Sequence, residues 1–198
     1  MIKQLQIGLK LLILCFLANI AYSQNKKIAT PINYKSDRAN LQALVIKVLK
    51  WHDKDKNLDF EPLLKNPNDS LYLGLNWHSH KKRVKELEKT NFFSKDFLDN
   101  YEKIAFHLDK ELKKNKIKYK VGYLPPYGNG ANEWCECQDL PSDDWKSIKI
   151  VQLKIIDNSA IFKWTWGDNL SYAVKAKKEN KIWKISELEK FNIRNFTW

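Results

Sequence analysis

Residues 148–188, IKIVQLKIIDNSAIFKWTWGDNLSYAVKAKKENKIWKISEL, decide the fold. Four segments, at roughly 148–156, 159–166, 170–178 and 181–188, alternate apolar and polar residues with a period of two, the spacing of a strand that buries one face. Asp157-Asn158, Gly167-Asp168-Asn169 and Glu179-Asn180 supply turns between them. Val151, Leu153 and Ile155 share one side of the first segment. Ala160, Phe162, Trp164 and Trp166 share one side of the second, Leu170, Tyr172, Val174 and Ala176 of the third, and Trp183 and Ile185 of the fourth. The opposite sides carry Lys154, Lys163, Lys175, Lys177 and Lys184. The pattern predicts an antiparallel meander with one buried face and one wet, basic face.

Upstream the period changes to that of a helix. Leu41, Leu44, Val45, Val48 and Leu49 predict a helix from about Asp37 to His52, with Ser36 or Asp37 as its cap. Helical character returns near His78 to Lys89. Ser94 then opens a third helix with Phe97, Leu98, Tyr101, Ile104, Ala105, Leu108 and Leu112 along one face. From Tyr119 to about Trp145 a stretch rich in Pro, Gly and Asn reads as a loop. Helices first and strands last predict an α+β fold, the helices packed on one face of a curved C-terminal sheet.

The chain opens like a secretory signal peptide. Lys3 and Lys10 flank the start, Leu11 to Ile20 form an apolar run of about ten residues, and Ala21-Tyr22-Ser23 offers small residues for cleavage. Cys15 follows the large Leu14, which favours cleavage near Ser23 over lipidation. The expectation is a secreted or periplasmic protein, with residues 1–23 as signal, 24–36 as a leader arm and 37–198 as one domain. Of the 198 residues, removal of 23 leaves 175, and the two lysines lost take the net charge from +12 to +10. No second apolar run follows, so no membrane span is expected in the mature chain. The positive charge is almost all Lys. Only Arg38, Arg83 and Arg194 carry the guanidinium that nucleic-acid readers favour, so nucleic acid is not an expected partner.

The closing phrase Lys178-Glu-Asn-Lys-Ile-Trp-Lys-Ile-Ser186, behind a helical half and a long loop, resembles the cystatin-like, nuclear transport factor 2-like superfamily. The helix start Phe93-Ser94-Lys-Asp-Phe-Leu-Asp-Asn-Tyr101 and the loop Trp134-Cys-Glu-Cys-Gln-Asp139, followed by Pro141 and Trp145, resemble its secreted bacterial domains of unknown function. The resemblance implies a cone-shaped α+β domain over about residues 37 to 190. It leaves activity open, since the superfamily includes enzymes, ligand binders and protein-binding modules. Its catalytic members place an Asp or His inside the cone, whereas the inward strand positions here are apolar or aromatic.

Several residue groups invite a chemical reading. Phe162, Trp164, Trp166, Tyr172 and Trp183 either fill the core or line a ligand-binding concave face, with Tyr123, Tyr127 and Trp134 on the loop able to close over it. Cys135 and Cys137 are an even pair suited to a disulfide clamp in an oxidising compartment, with a redox dithiol or a metal site as alternatives. His78 and His80 read as surface residues near a helix start, and His52 and His107 as structural or solvated. Asp53-Lys-Asp55-Lys-Asn57-Leu-Asp59 imitates a calcium loop, but Leu58 and Leu64 stand where Gly and Glu are needed, so a solvated helix end is expected. No nucleophile elbow, phosphate loop, metalloprotease helix or catalytic carboxylate pair is present, and no cofactor or metal is expected. The favoured reading is an exported, non-catalytic binding module for an apolar ligand. The alternatives are an inhibitor or immunity-type partner of an envelope protein, possible as a homodimer, and a small hydrolase or isomerase with Glu133 or Asp139 as general base.

Overall fold

The computed structural model describes residues 33–197 apart from positions 56, 115, 117, 128–131, 136, 138–144, 168 and 169. The expected signal segment and Asp139 lie outside the described residues. Helix α1 spans Tyr34–Lys54, α2 Trp77–Thr90 and α3 Lys95–Lys113. Strands β1 Lys149–Ile156, β2 Ser159–Thr165, β3 Tyr172–Glu179 and β4 Ile182–Leu188 follow, then a 3-10 turn at Ile193–Phe196. The strands form one antiparallel sheet in the order β1-β2-β3-β4, so the architecture is α+β.

Each helix follows from local chemistry. Asn33, rather than Ser36 or Asp37, caps α1 by accepting the Ser36 N–H at 3.2 Å. Leu41, Leu44, Val45, Val48 and Leu49 then recur on one buried stripe. Asn76 caps α2 from the Ser79 N–H, and Asn91, at φ 58°, ends it in the left-handed conformation that Asn tolerates. The α2 stripe is unusual: its buried residues are His80, Arg83 and Leu87. Helix α3 buries Phe97, Tyr101, Ile104, Ala105, Leu108 and Leu112, the face read from the sequence.

The inward face of the sheet matches the period-two reading at Ala160, Phe162, Trp164, Tyr172, Val174, Ala176, Trp183 and Ile185, all buried. Four positions read as inward are not buried: Leu170, Trp166, Val151 and Leu153. Leu170, read as inward, precedes β3 and is 61% exposed. In β1, Ile150 and Ile155 are buried, whereas Val151 and Leu153 are only half-buried. The cause is a β-bulge. Val151 pairs with Lys163 and Lys154 with Ile161, so Gln152 and Leu153 together oppose Phe162, and Gln152 takes φ 50°. One extra residue switches which face the following side chains occupy. A second irregularity, at Ser186 in β4, lets both Ile185 and Leu188 be buried three positions apart.

Helix α1 packs against both edge strands, β1 and β4, and α3 packs against β4. Arg38 on α1 donates to the Ile150 carbonyl at 2.5 Å, beside the bulge. The free edge of β4 is covered by the α2–α3 connection: Ser94 N–H donates to the Ile185 carbonyl at 2.9 Å and Ile185 N–H to the Phe92 carbonyl at 2.8 Å. That pairing satisfies edge groups that would otherwise template association.

The bulge makes a specific prediction. Ile150→Ala removes a core side chain and is expected to cost about 3 kcal/mol, while Val151→Ala costs about 1 kcal/mol or less. Chemical denaturation of the two variants checks this, and the reverse order would mean that β1 runs without the bulge.

Candidate functional site

The chain leaving α1 carries two carboxylates four residues apart, Asp55 and Asp59. Both turn inward to one guanidinium. Arg83, 2% exposed on α2, donates Nε to Asp59 Oδ1 at 2.9 Å and Nη1 to Asp55 Oδ2. Asp59 also accepts the Tyr101 hydroxyl at 2.5 Å and the Trp134 indole N–H at 2.6 Å. The guanidinium lies over two indoles, 4.8 Å from the Trp51 ring centroid and 5.7 Å from that of Trp134. Four segments of chain therefore meet at one carboxylate: the α1–α2 connection, α2, α3 and the long loop.

This corrects two sequence expectations. The Asp53–Asp59 stretch is not simply a solvated helix end, because two of its acids are held by Arg83. His80 is not a surface residue: it is 3% exposed, stacks 5.5 Å from Tyr101 at an interplanar angle of 8°, and neither ring nitrogen has a hydrogen-bond partner among the described residues. His78 is exposed as expected, and His107 is half-buried on α3. The interior thus holds a His, an Arg and acids after all, and they come from the helical layer and its connections rather than from the strands.

The environment sets the charge of each group. Burial holds the His80 imidazole below its ordinary range, and the Asp59 charge only partly opposes this. His52 is lowered for the same first reason; it stacks on Trp134 at 5.4 Å, and its Nε2 lies 2.8 Å from the Asn132 amide. Burial would raise the Asp55 carboxyl, but the Asn57 N–H and Arg83 outweigh it and hold it low. Burial opposes charge on Arg83, and Asp59 overcomes it, so the guanidinium stays protonated. Tyr101 is raised by burial first and by Asp59 second, which keeps its hydroxyl a donor. Asp59, engaged by three donors, is an anchor for the surrounding layer rather than an available base. Glu133, the loop carboxylate considered as a base, is half-buried and raised, by burial first and with a contribution from the Asp59 charge.

The aromatic residues read as a ligand face separate into different environments. Phe162 and Trp164 are 1% and 2% exposed and belong to the packed core. Trp164 packs on Tyr172 at 4.5 Å and on Trp166 at 5.3 Å, and half-buried Trp166 meets Trp145 at 5.8 Å. Trp183 donates its indole N–H to Asp37 at 2.8 Å, and Lys178, 2.6 Å from the same carboxylate, lies over its ring. Asp37 is held low because these donors outweigh its burial. On the loop, Trp134 packs against Trp51, Phe93, Phe97 and Phe191, and Tyr127 against Tyr119 and Phe196. Both loop rings are buried parts of the core edge. Cys135 and Cys137 stand at disulfide distance, with Cα atoms 5.1 Å apart and Cys135 fully buried beside Trp134.

A groove of about 420 Å³ lies between α1, the α2–α3 connection and the β3–β4 hairpin. Leu44, Phe92 and Trp183 form its apolar walls, and Asn40, Lys47 and Lys181 bring amide and ammonium groups. Among the described residues, no cluster of His, Cys, Asp and Glu is arranged to hold a metal ion, and no helix is long and apolar enough to cross a membrane. Comparison with protein-family models, curated proteins and solved structures finds no match to this chain.

Two predictions follow from the buried ion cluster. Asp59→Ala leaves the buried Arg83 with Asp55 as its hydrogen-bonded carboxylate and the Tyr101 hydroxyl and Trp134 indole N–H without their acceptor, and is expected to cost about 3–5 kcal/mol. Arg83→Lys keeps the charge but cannot serve two carboxylates in fixed directions, and is expected to cost about 2 kcal/mol. Unfolding free energies near those of the parent chain would remove the cluster as an anchor. The imidazoles of His80 and His52 bind protons less readily in the folded chain than in the unfolded one. Their contribution is therefore complete above about pH 6.5 and is lost as pH falls below it. Replacing His80 by Phe is expected to flatten the melting temperature between pH 7 and pH 5; an unchanged slope would contradict this.

Proposed function

We propose that the chain is an exported, non-catalytic binding module of the cystatin-like type, and that its ligand seat is the groove at the β3–β4 hairpin. The observation that carries this reading is Lys181. The hairpin turns at Asn180 and Lys181, both with positive φ, 50° and 67°. Asn suits such a turn, and Gly is the residue that fills the second position without strain. A lysine there is costly to the turn, and with Lys47 it is among the residues that line the groove. A non-glycine residue held at positive φ beside a cavity points to a use for its side chain.

Other observations support the reading. Helix α1 touches both edge strands of the four-stranded sheet, which fits a sheet curved around it as in a cone. Export is supported by the composition of residues 1–23 and by a cysteine pair at disulfide distance, which an oxidising compartment maintains. The walls and the two ammonium groups fit a small amphiphile with an anionic end. The packed aromatic face under the helices then serves as the floor that fixes Trp183 at the groove, and the ligand sits at its margin.

A second reading has its own support. The outward face of the sheet exposes Ile161 at 52% among Lys154, Lys163, Lys175 and Lys177, a surface able to meet an envelope protein or a second copy. A lower apparent mass for Ile161→Glu than for the parent chain in native mass spectrometry is its expected sign.

The groove is tested with anilinonaphthalene sulfonate, an anionic aromatic probe. Lys181→Gly is expected to raise stability by about 1 kcal/mol, because glycine relieves the turn. The same change combined with Lys47→Ala is expected to weaken probe binding by about tenfold. Probe binding that is equal in the parent and double variant would remove the groove as the seat.

A further inference from the structure

The long loop presents a second feature, independent of the groove. Its tip, Val121-Gly-Tyr-Leu-Pro-Pro126, points apolar side chains into solvent: Val121 is 38% exposed, Tyr123 70% and Leu124 81%, and both prolines are exposed. The tip is held in place at both ends. The Lys120 carbonyl accepts the Tyr123 N–H at 3.3 Å across a turn in which Gly122 takes φ +80°. On one side Tyr72 N–H donates to the Tyr119 carbonyl at 2.9 Å, and Val121 N–H to the Ser70 carbonyl at 3.1 Å. Tyr119 is buried against Tyr72 and Tyr127, and Tyr127 against Phe196. The rings on either side of the tip are thus turned inward while Tyr123 and Leu124 are turned out.

The chain that leads from the end of α3 into the tip is strongly cationic. Between positions 110 and 120 the sequence places Lys110, Lys113, Lys114, Lys116, Lys118 and Lys120 against the single acid Glu111. Lys113 pairs with Asp109 at 2.7 Å and Lys116 with Glu111 at 3.7 Å. Among the described residues, Lys110, Lys114, Lys118 and Lys120 have no carboxylate within ion-pair distance, and Lys120 leans over the Tyr123 ring at 5.7 Å. We propose that this tip and its lysine collar dock the protein on an anionic phospholipid surface, with Tyr123 and Leu124 entering the headgroup boundary and the lysines meeting the lipid phosphates.

Three physical points favour a lipid surface over a protein. A protruding tip of two or three side chains is far smaller than the roughly 800 Å² per partner that a stable protein interface buries. Interfacial partition needs only a few apolar groups beside a basic cluster, and tyrosine is at home at that boundary. The cations are all lysine, which protein interfaces disfavour and which acts as a diffuse point charge toward mobile headgroups.

The test is co-sedimentation of the protein, purified as its expressing cell processes it, with vesicles of phosphatidylglycerol and phosphatidylcholine or of phosphatidylcholine alone. Any retained N-terminal apolar stretch contributes equally to every variant, so the ratios carry the result. The parent chain is expected to partition at least tenfold more onto the anionic vesicles, and less in high salt. Tyr123→Ser with Leu124→Ser is expected to lower that partition about tenfold with an unchanged melting curve. Lys118→Gln with Lys120→Gln is expected to lower it more than tenfold, at about fivefold per charge. Equal binding to both vesicle types, absence of binding, or binding untouched by the tip variant would overturn the proposal and leave the tip to a protein partner.

Discussion

The constraint on which the helical half depends is the engagement of one carboxylate, Asp59, by three donors from three parts of the chain: Arg83, Tyr101 and Trp134. A charged pair taken out of water is stable only if nearly every polar direction is satisfied. Here Asp55 takes Nη1 of the guanidinium and the Trp51 and Trp134 rings cover its faces, while Nη2 has no hydrogen-bond partner among the described residues. The result ties α2, a helix with almost no apolar stripe of its own, to α3 and to the loop.

The same chemistry recurs across the molecule. Asp37 accepts from Lys178 and from the Trp183 indole, so it too combines a carboxylate, a cation and an indole N–H. Its role is complementary: it pins the start of α1 to β3 and β4, as Asp59 pins the other helices to the loop. Trp134 and Trp183 are therefore both apolar filler and hydrogen-bond donor, which accounts for indoles at these two positions rather than phenyl rings. With the interior ions fixed to one another and the aromatic face filled, the proposed recognition surfaces are three exposed features of the described residues: the hairpin groove, the outward sheet face and the Tyr123-Leu124 tip.

Much of the fold was legible because its determinants are periodic. The inward residues of β2 and β3, and those of β4 up to Ile185, follow from alternation alone, and the α1 and α3 stripes from helical spacing. The β1 error has a definite cause: a bulge inserts one residue without altering composition, so Val151 reads as inward when Ile150 is. The Asp59 cluster was hidden for a different reason. Its members lie on segments whose local patterns are polar, 24 residues separate Asp59 from Arg83, and 75 separate Asp59 from Trp134. A usable signal did exist. In a chain whose cations are nearly all Lys, an Arg marks a place where a forked, fixed donor is needed. Arg83 holds the ion cluster, and Arg38 reaches the carbonyl beside the β1 bulge. The histidine reading failed similarly, since nothing local separates exposed His78 from buried His80; the difference is which one faces Tyr101.

The most direct measurement of the central claim is hydrogen exchange at the Trp134 indole N–H, followed by NMR on the native protein. If the Asp59 cluster closes the loop onto the helices, that proton exchanges only with global unfolding, as slowly as the amides of α3. Exchange as fast as at an exposed amide would mean that the loop opens freely. Asp59 would then not be the point that holds the helical layer and the loop together.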